Sequence, residues 1–98
     1  MTACLRLPGT IDEAVDLLLK QVPLSARAEI ALMSDDYLIW LHMDYGNFIR
    51  NAFGLSTGNR ALMAATGRQT ADDASWVVIE ALWRRLKSEM HMVNGIHA

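Results

Sequence analysis

Residues 34–54 read SDDYLIWLHMDYGNFIRNAFG, and this stretch decides the fold. Ser34 is a typical N-cap residue, and the two aspartates after it suit the positive end of a helix dipole. Gly54 is a typical residue just past a helix C-terminus, so we predict one long helix over about 35–53. Because apolar side chains occupy nearly its whole circumference, we predict that this helix lies at the centre of the fold.

Cap residues and a helical period of apolar side chains predict four further helices around this stretch. They are expected over about 11–22, 26–33, 60–66 and 71–94. Thr10 and Glu13 form a capping box at the start of the first, and Pro23 follows its end. Asn59 and Thr70 are the N-cap residues of the last two. The predicted fold class is all-α, a single-domain bundle of about five helices with a long C-terminal helix.

Length and composition agree with one globular domain. The chain has 98 residues, 52% of them hydrophobic, and independent domains usually run to roughly 100–200 residues. We expect an N-terminal arm over 1–9, the helical domain over 10–88, and a helix end with its tail over 89–98.

Charge and hydropathy exclude some partners. The formal net charge is −2, whereas nucleic acids and anionic membranes are bound by basic surfaces, so we expect neither partner. No stretch approaches the roughly 18 apolar residues that a membrane span needs. Residues 1–10 show no apolar run of signal-peptide length, and we therefore expect a cytoplasmic protein.

One basic cluster, formed by Arg84, Arg85 and Lys87, could suggest a nucleic-acid patch. It is interleaved with Glu80 and Glu89, which predicts the i,i+4 pairs Glu80–Arg84 and Arg85–Glu89. We interpret the cluster as a solvated helix face.

Several motifs follow one another along the chain. Residues 42–55 carry the pattern H-x-x-x-G-x-x-I-R-N-x-F-G-L, residues 72–75 read DDAS, residues 81–83 read ALW, and residues 10–15 carry T-x-x-E-A-V. With these motifs the chain resembles a family of short bacterial proteins known only as a domain of unknown function. The resemblance covers about residues 10–87 and implies no catalytic residue.

Within that pattern His42, Gly46 and Arg50 are spaced i, i+4, i+8 and share one flank of the 35–53 helix. A glycine inside a helix costs roughly 0.5–1 kcal/mol relative to alanine, so we expect a backbone or a ligand to approach closely at Gly46. The Arg50 guanidinium suits a carboxylate or a phosphate. One interpretation is a clamp in which Arg50 binds Asp72 or Asp73 and fixes the loop between Gly54 and Thr70. The alternative is a ligand site, with the candidate residues His42, Gly46, Arg50, Asn51, Asp72 and Asp73.

Metal, cofactor and nucleophile chemistry find little support in the sequence. Cys4 has no second cysteine to pair with, and His91 and His97 are not spaced for one helical face. Ser75 lies at a helix start and not in a nucleophile elbow. We therefore predict no metal, no cofactor and no catalytic residue.

Trp40 and Val77 project from the polar sides of their helices. Either a neighbouring helix covers them, or they form a protein-interaction surface, since tryptophan is enriched at interaction hot spots. We predict a small non-enzymatic interaction or regulatory module that binds a protein partner or self-associates through an apolar helix face. The alternative is a binding protein or minor enzyme that uses His42, Arg50 and Asp73 on a small anionic ligand.

Overall fold

The computed structural model describes the backbone of residues 7–97 and the side chains of residues 7–89. Within those residues the chain forms helices and no strand, which confirms the all-α bundle. The elements are α1 (Ile11–Leu19), α2 (Leu24–Leu32), a 3-10 turn (Asp35–Tyr37), α3 (Leu38–Ala52), α4 (Arg60–Thr66) and α5 (Ala71–His97).

Helix α5 is the centre of the bundle, because α1, α2, α3 and α4 all pack against it. It contributes a buried row to the core: Ala74, Ser75, Val78, Ile79, Leu82 and Leu86. The facing helices contribute apolar side chains to the same core, among them Val15, Leu18, Ile30, Ile49 and Leu62.

The prediction that the 35–53 helix is central is wrong. Helix α3 packs against α5 along one side, and Ile39, Trp40 and Met43 on its other sides are exposed. An all-round apolar helix is buried only if other elements cover every face, and within the described residues no element covers these three side chains.

Helix ends follow the predicted caps in part. Thr10 Oγ1 accepts a hydrogen bond from the Glu13 backbone N–H (3.1 Å), but Glu13 Oε1 accepts from the Gly9 N–H (2.8 Å) instead of completing the box on Thr10. Helix α1 ends at Leu19, three residues before the expected position, and Arg27 Nη2 donates to the Leu19 carbonyl oxygen (2.7 Å). The same carbonyl oxygen accepts from the Val22 N–H (3.2 Å), so two donors satisfy it at the helix end.

The remaining bounds differ from expectation by a turn or less. The 35–53 segment begins as a 3-10 turn, and Ser34 makes no side-chain cap. It ends as expected at Gly54, whose φ is +73°, with the Leu55 N–H donating to the Arg50 carbonyl oxygen (3.1 Å). Helix α5 continues beyond the expected end at residue 94, through Gly95 to His97.

The basic cluster of α5 joins helices together. Arg85 reaches across to α1, where Nη1 lies 2.9 Å from Asp16 Oδ1 and Nη2 lies 3.7 Å from Asp12 Oδ1. The hydrogen bond to Asp16 raises the pKa of Arg85 above its ordinary value. The predicted Arg85–Glu89 pair is therefore replaced by a tertiary one, while Arg84 binds Glu80 at 3.0 Å as expected.

Two further side chains of α5 cap the end of α2. Trp83 Nε1 donates to the Met33 carbonyl oxygen (2.9 Å), and Lys87 Nζ donates to that of Ala31 (3.1 Å). These donors satisfy carbonyl groups that α2 leaves unpaired at its C-terminus.

Asn59 joins three segments of the chain from a buried position. Its Oδ1 accepts from the Leu62 N–H (3.2 Å) and caps α4 as predicted. Its Nδ2 donates to the carbonyl oxygens of Pro8 (2.8 Å) and Phe53 (2.7 Å). The N-terminal segment and the end of α3 are thereby tied to the start of α4.

Candidate functional site

The flank of α3 that carries His42, Gly46 and Arg50 faces the first turn of α5. Arg50 Nη1 lies 3.2 Å from Asp72 Oδ1, and Arg50 Nη2 donates to Asn47 Oδ1 (3.0 Å). The predicted contact between Arg50 and the start of α5 is therefore confirmed for Asp72. The pair is only partly buried, because the Asp72 side chain is 64% exposed.

Two other candidates lie outside this cluster. The Asp73 side chain is exposed, and its backbone N–H is the one that Thr70 Oγ1 caps (3.1 Å). Asn51 is exposed on α3. The structure thus brings together His42, Gly46, Arg50 and Asp72.

His42 contacts three residues of α5, namely Trp76, Ser75 and Asp72. Its side chain is 12% exposed, and its ring stacks on Trp76 with centroids 4.3 Å apart. Its Nε2 lies 2.8 Å from Ser75 Oγ and 3.6 Å from Asp72 Oδ1. Both polar contacts use the same ring nitrogen.

The direction of these hydrogen bonds argues against a serine nucleophile. Ser75 Oγ lies 2.7 Å from the Asp72 carbonyl oxygen, an acceptor, so the hydroxyl hydrogen points there. Ser75 Oγ therefore accepts from His42 Nε2–H, whereas an activated serine would donate to an unprotonated nitrogen. Ser75 is also fully buried, beyond the reach of a substrate.

Because Gly46 has no side chain, the side chains of His42 and Arg50 can lie close to the helix backbone there. A Cβ at Gly46 would lie 3.2 Å from both His42 Nε2 and Arg50 Nη1, which is tighter than ordinary contact. The close approach expected at this glycine is made, within the chain, by side chains of the same helix and not by the backbone of another element.

We expect Arg50→Ala to lower the free energy of unfolding by about 1 kcal/mol, the upper end for a partly exposed ion pair. In a domain of this size that loss lowers the melting temperature by roughly 4–8 °C, which differential scanning calorimetry resolves. Arg68→Ala, at an exposed arginine of the loop before α5, is the matched control. An unchanged or raised melting temperature for Arg50→Ala would contradict the clamp.

A second surface lies on the 3-10 turn and the start of α3, away from α5. It consists of four large side chains that are each at least half exposed: Tyr37 (54%), Ile39 (50%), Trp40 (58%) and Met43 (66%). We call these four residues the Trp40 face. Trp40 and Met43 share a helix face because they are three positions apart. Ile39 lies next to Met43 on the helix surface because the two are four positions apart. Val77, the other predicted interaction residue, is half-buried on α5 and does not belong to this face.

Other features of the described residues lie elsewhere. A concavity of about 410 Å³ is lined by Leu7, Pro8, Gly9, Glu13, Asp16 and Leu17, none of them in the His42 cluster. Among residues 7–89 no three histidine, cysteine or acidic side chains come together in a metal-binding arrangement. In the same part of the chain, no helix has the length and apolar character to cross a bilayer. Cys4 and the side chains of His91 and His97 lie outside the described residues.

The comparison with known families gives a clear result. The sequence model described as a domain of unknown function, DUF6794, matches residues 7–86. The chain belongs to this family, which confirms the resemblance to a family of unknown function. No curated protein and no solved structure matches the chain.

Proposed function

We propose that this chain is a small non-enzymatic interaction module that binds a protein partner through the Trp40 face. The observation that carries the proposal is the exposure of four large apolar side chains, one at the end of the 3-10 turn and three on α3. Each of the four is at least half exposed, although the same chain fully buries the side chains of its core.

The composition of the face also supports a protein partner. Tryptophan and tyrosine are enriched at binding hot spots, because they offer a large contact area with few rotatable bonds. Methionine is flexible and adapts to the surface of a partner. An exposed contiguous apolar patch of this kind typically marks an interaction site. We propose the bacterial cytoplasm as its setting, which is the expectation from the sequence.

The contacts favour the clamp over an anionic-ligand site at Arg50. Asp72 and Asn47 already occupy two nitrogens of the guanidinium, so a phosphate or carboxylate ligand would have to displace Asp72. Asp73 was one of the candidate ligand-binding residues, but it does not belong to the His42 cluster. We therefore do not retain a second candidate function.

Site-specific photocrosslinking in bacterial cells tests the proposal. We expect benzoylphenylalanine at position 43 to give a discrete protein adduct, because Met43 lies in the face and is exposed. The matched control is the same group at position 24, where Leu24 is exposed on α2. Trp40→Ala should remove the adduct formed at position 43, while far-ultraviolet circular dichroism stays unchanged because Trp40 is not in the core.

Two results would contradict the proposal. One is the absence of any discrete adduct at position 43. The other is the same adduct at positions 43 and 24, because a partner that binds the Trp40 face should not label both positions alike.

A further inference from the structure

The Trp40 face is bordered by carboxylates. Asp36 and Asp44 each lie four residues from Trp40, one before it and one after it, and Asp35 precedes Asp36. All three side chains are exposed, and we call them the acidic rim. Residues 34–49 contain no lysine and no arginine, so the segment carries charge of one sign apart from any charge on its histidine.

Within the described residues, no basic side chain pairs with the acidic rim. Among residues 7–89 no ion pair involves Asp35, Asp36 or Asp44. The same residues place no cation on the Trp40 ring, whereas Lys87 lies 5.1 Å from the centroid of Trp83. Carboxylates and an indole face are thus both open to a partner.

We propose that the Trp40 face and the acidic rim bind a basic amphipathic segment of another protein, in which arginine or lysine flanks an apolar stripe. This rests on the proposed function and names the class of partner. The apolar stripe would cover Ile39 and Met43, as in helix-on-helix packing. A guanidinium could stack on the Trp40 indole while it donates to a carboxylate of the rim.

Charge argues against the competing occupants. A second copy docked through the same face would bring three aspartates from each chain together, because a two-fold interface pairs each patch with itself. Anionic membranes and nucleic acids would be repelled by the rim, and helices that lie on membranes carry lysine or arginine on the polar face. A basic protein segment is the occupant for which the rim is attractive.

Three matched amphipathic peptides test the proposal. All carry the same leucine stripe, and their polar positions are arginine in the first, serine in the second and glutamate in the third. We measure binding to the full chain by isothermal titration calorimetry at low salt and map it by amide chemical shifts. We expect the arginine peptide to bind most tightly, with shifts centred on α3 and with affinity that falls as salt is added.

The variants separate the two proposals. Asp36→Asn with Asp44→Asn should weaken binding of the arginine peptide about three- to tenfold, since two exposed ion pairs are lost. Glu29→Gln with Glu89→Gln removes the same charge from exposed positions elsewhere and should leave the affinity within about twofold. Trp40→Ala should weaken binding of every peptide that binds.

Equal binding of the arginine and glutamate peptides, or an unchanged affinity of the Asp36/Asp44 variant, overturns the basic-partner inference. The proposed function survives that result if Trp40→Ala still weakens binding, and it fails as well if Trp40→Ala has no effect. A dimer in sedimentation equilibrium that Trp40→Ala dissociates also overturns the inference, since the occupant is then a second copy. Trp40-dependent binding to phosphatidylglycerol vesicles overturns it in favour of a membrane surface.

Discussion

Asn59→Asp is expected to lower the free energy of unfolding by about 3 kcal/mol or more, because it leaves a buried charge without a partner. The Asn59 Nδ2 donates to the carbonyl oxygens of Pro8 and Phe53 from a buried position. Aspartate places an oxygen there, so two acceptors lose their donor and a carboxylate faces them. The other carboxylate oxygen can still cap α4. The loss of stability therefore measures the two hydrogen bonds that connect Asn59 to Pro8 and Phe53.

The loss should depend on pH in a defined direction. Burial against two carbonyl oxygens raises the pKa of the introduced carboxyl in the folded state above its unfolded value. The protonated form can donate to one carbonyl oxygen, so its stabilising contribution is present below the unfolded pKa and is lost as pH rises through the folded pKa.

Thermal unfolding at about pH 4 and about pH 7 measures this effect against wild type and against Asn59→Ala, which cannot titrate. At neutral pH we expect Asn59→Asp to melt roughly 12 °C or more below wild type. The deficit of Asn59→Asp should shrink at the lower pH, and that of Asn59→Ala should not. A deficit of Asn59→Asp that is equal at both pH values would show that Nδ2 does not make these bonds.

Leu82→Ala is expected to cost about 2–5 kcal/mol, because Leu82 is fully buried on the helix that all the others contact. Removing its side chain leaves a cavity where several helices meet, and rigid neighbours relax little into it. Urea titration followed by circular dichroism gives the free energy of unfolding. Leu24→Ala, at an exposed leucine of α2, should change it by about 0.5 kcal/mol or less. Equal losses for the two variants would contradict the central position of α5.

Local signals predicted the helix ends that depend on neighbours in sequence. Asn59 and Thr70 cap α4 and α5 as expected, and Gly54 ends α3 in the left-handed conformation. Each of these ends involves groups only a few residues apart, so the sequence contains the whole interaction. The end of α1 was predicted too late, because residues 20–22 continue the apolar period while their N–H groups donate three residues back, to Leu17, Leu18 and Leu19, and close a turn.

The position of α3 could not be read from its composition. An apolar surface on every side of a helix is compatible with burial in its own chain and with an interface to another, and the period of apolar residues is the same in both cases. The charge of the neighbouring residues distinguishes the two, since the acidic rim would be costly to bury unpaired. The rim was a sequence signal for exposure of Trp40.

The sequence predicted the residues that α3 contributes to the candidate site, but it missed some of those that α5 contributes. The spacing of His42, Gly46 and Arg50 placed them together, but Ser75 was considered only as a nucleophile. Its contact with His42 depends on how α3 crosses α5, which no pattern within either helix specifies. A small polar residue inside an otherwise apolar helical stripe was the available signal, because such a residue is usually buried with a partner.

The central position of α5 has a consequence for synthesis. Because α5 follows the other helices in the chain, α1 to α4 leave the ribosome before the surface on which they pack exists. Their apolar faces stay open to water or to chaperones until the residues of the buried row on α5 have emerged. The four earlier helices therefore cannot complete their packing until α5 has emerged, in contrast to the N-terminal-first assembly of proteins whose early domains fold on their own.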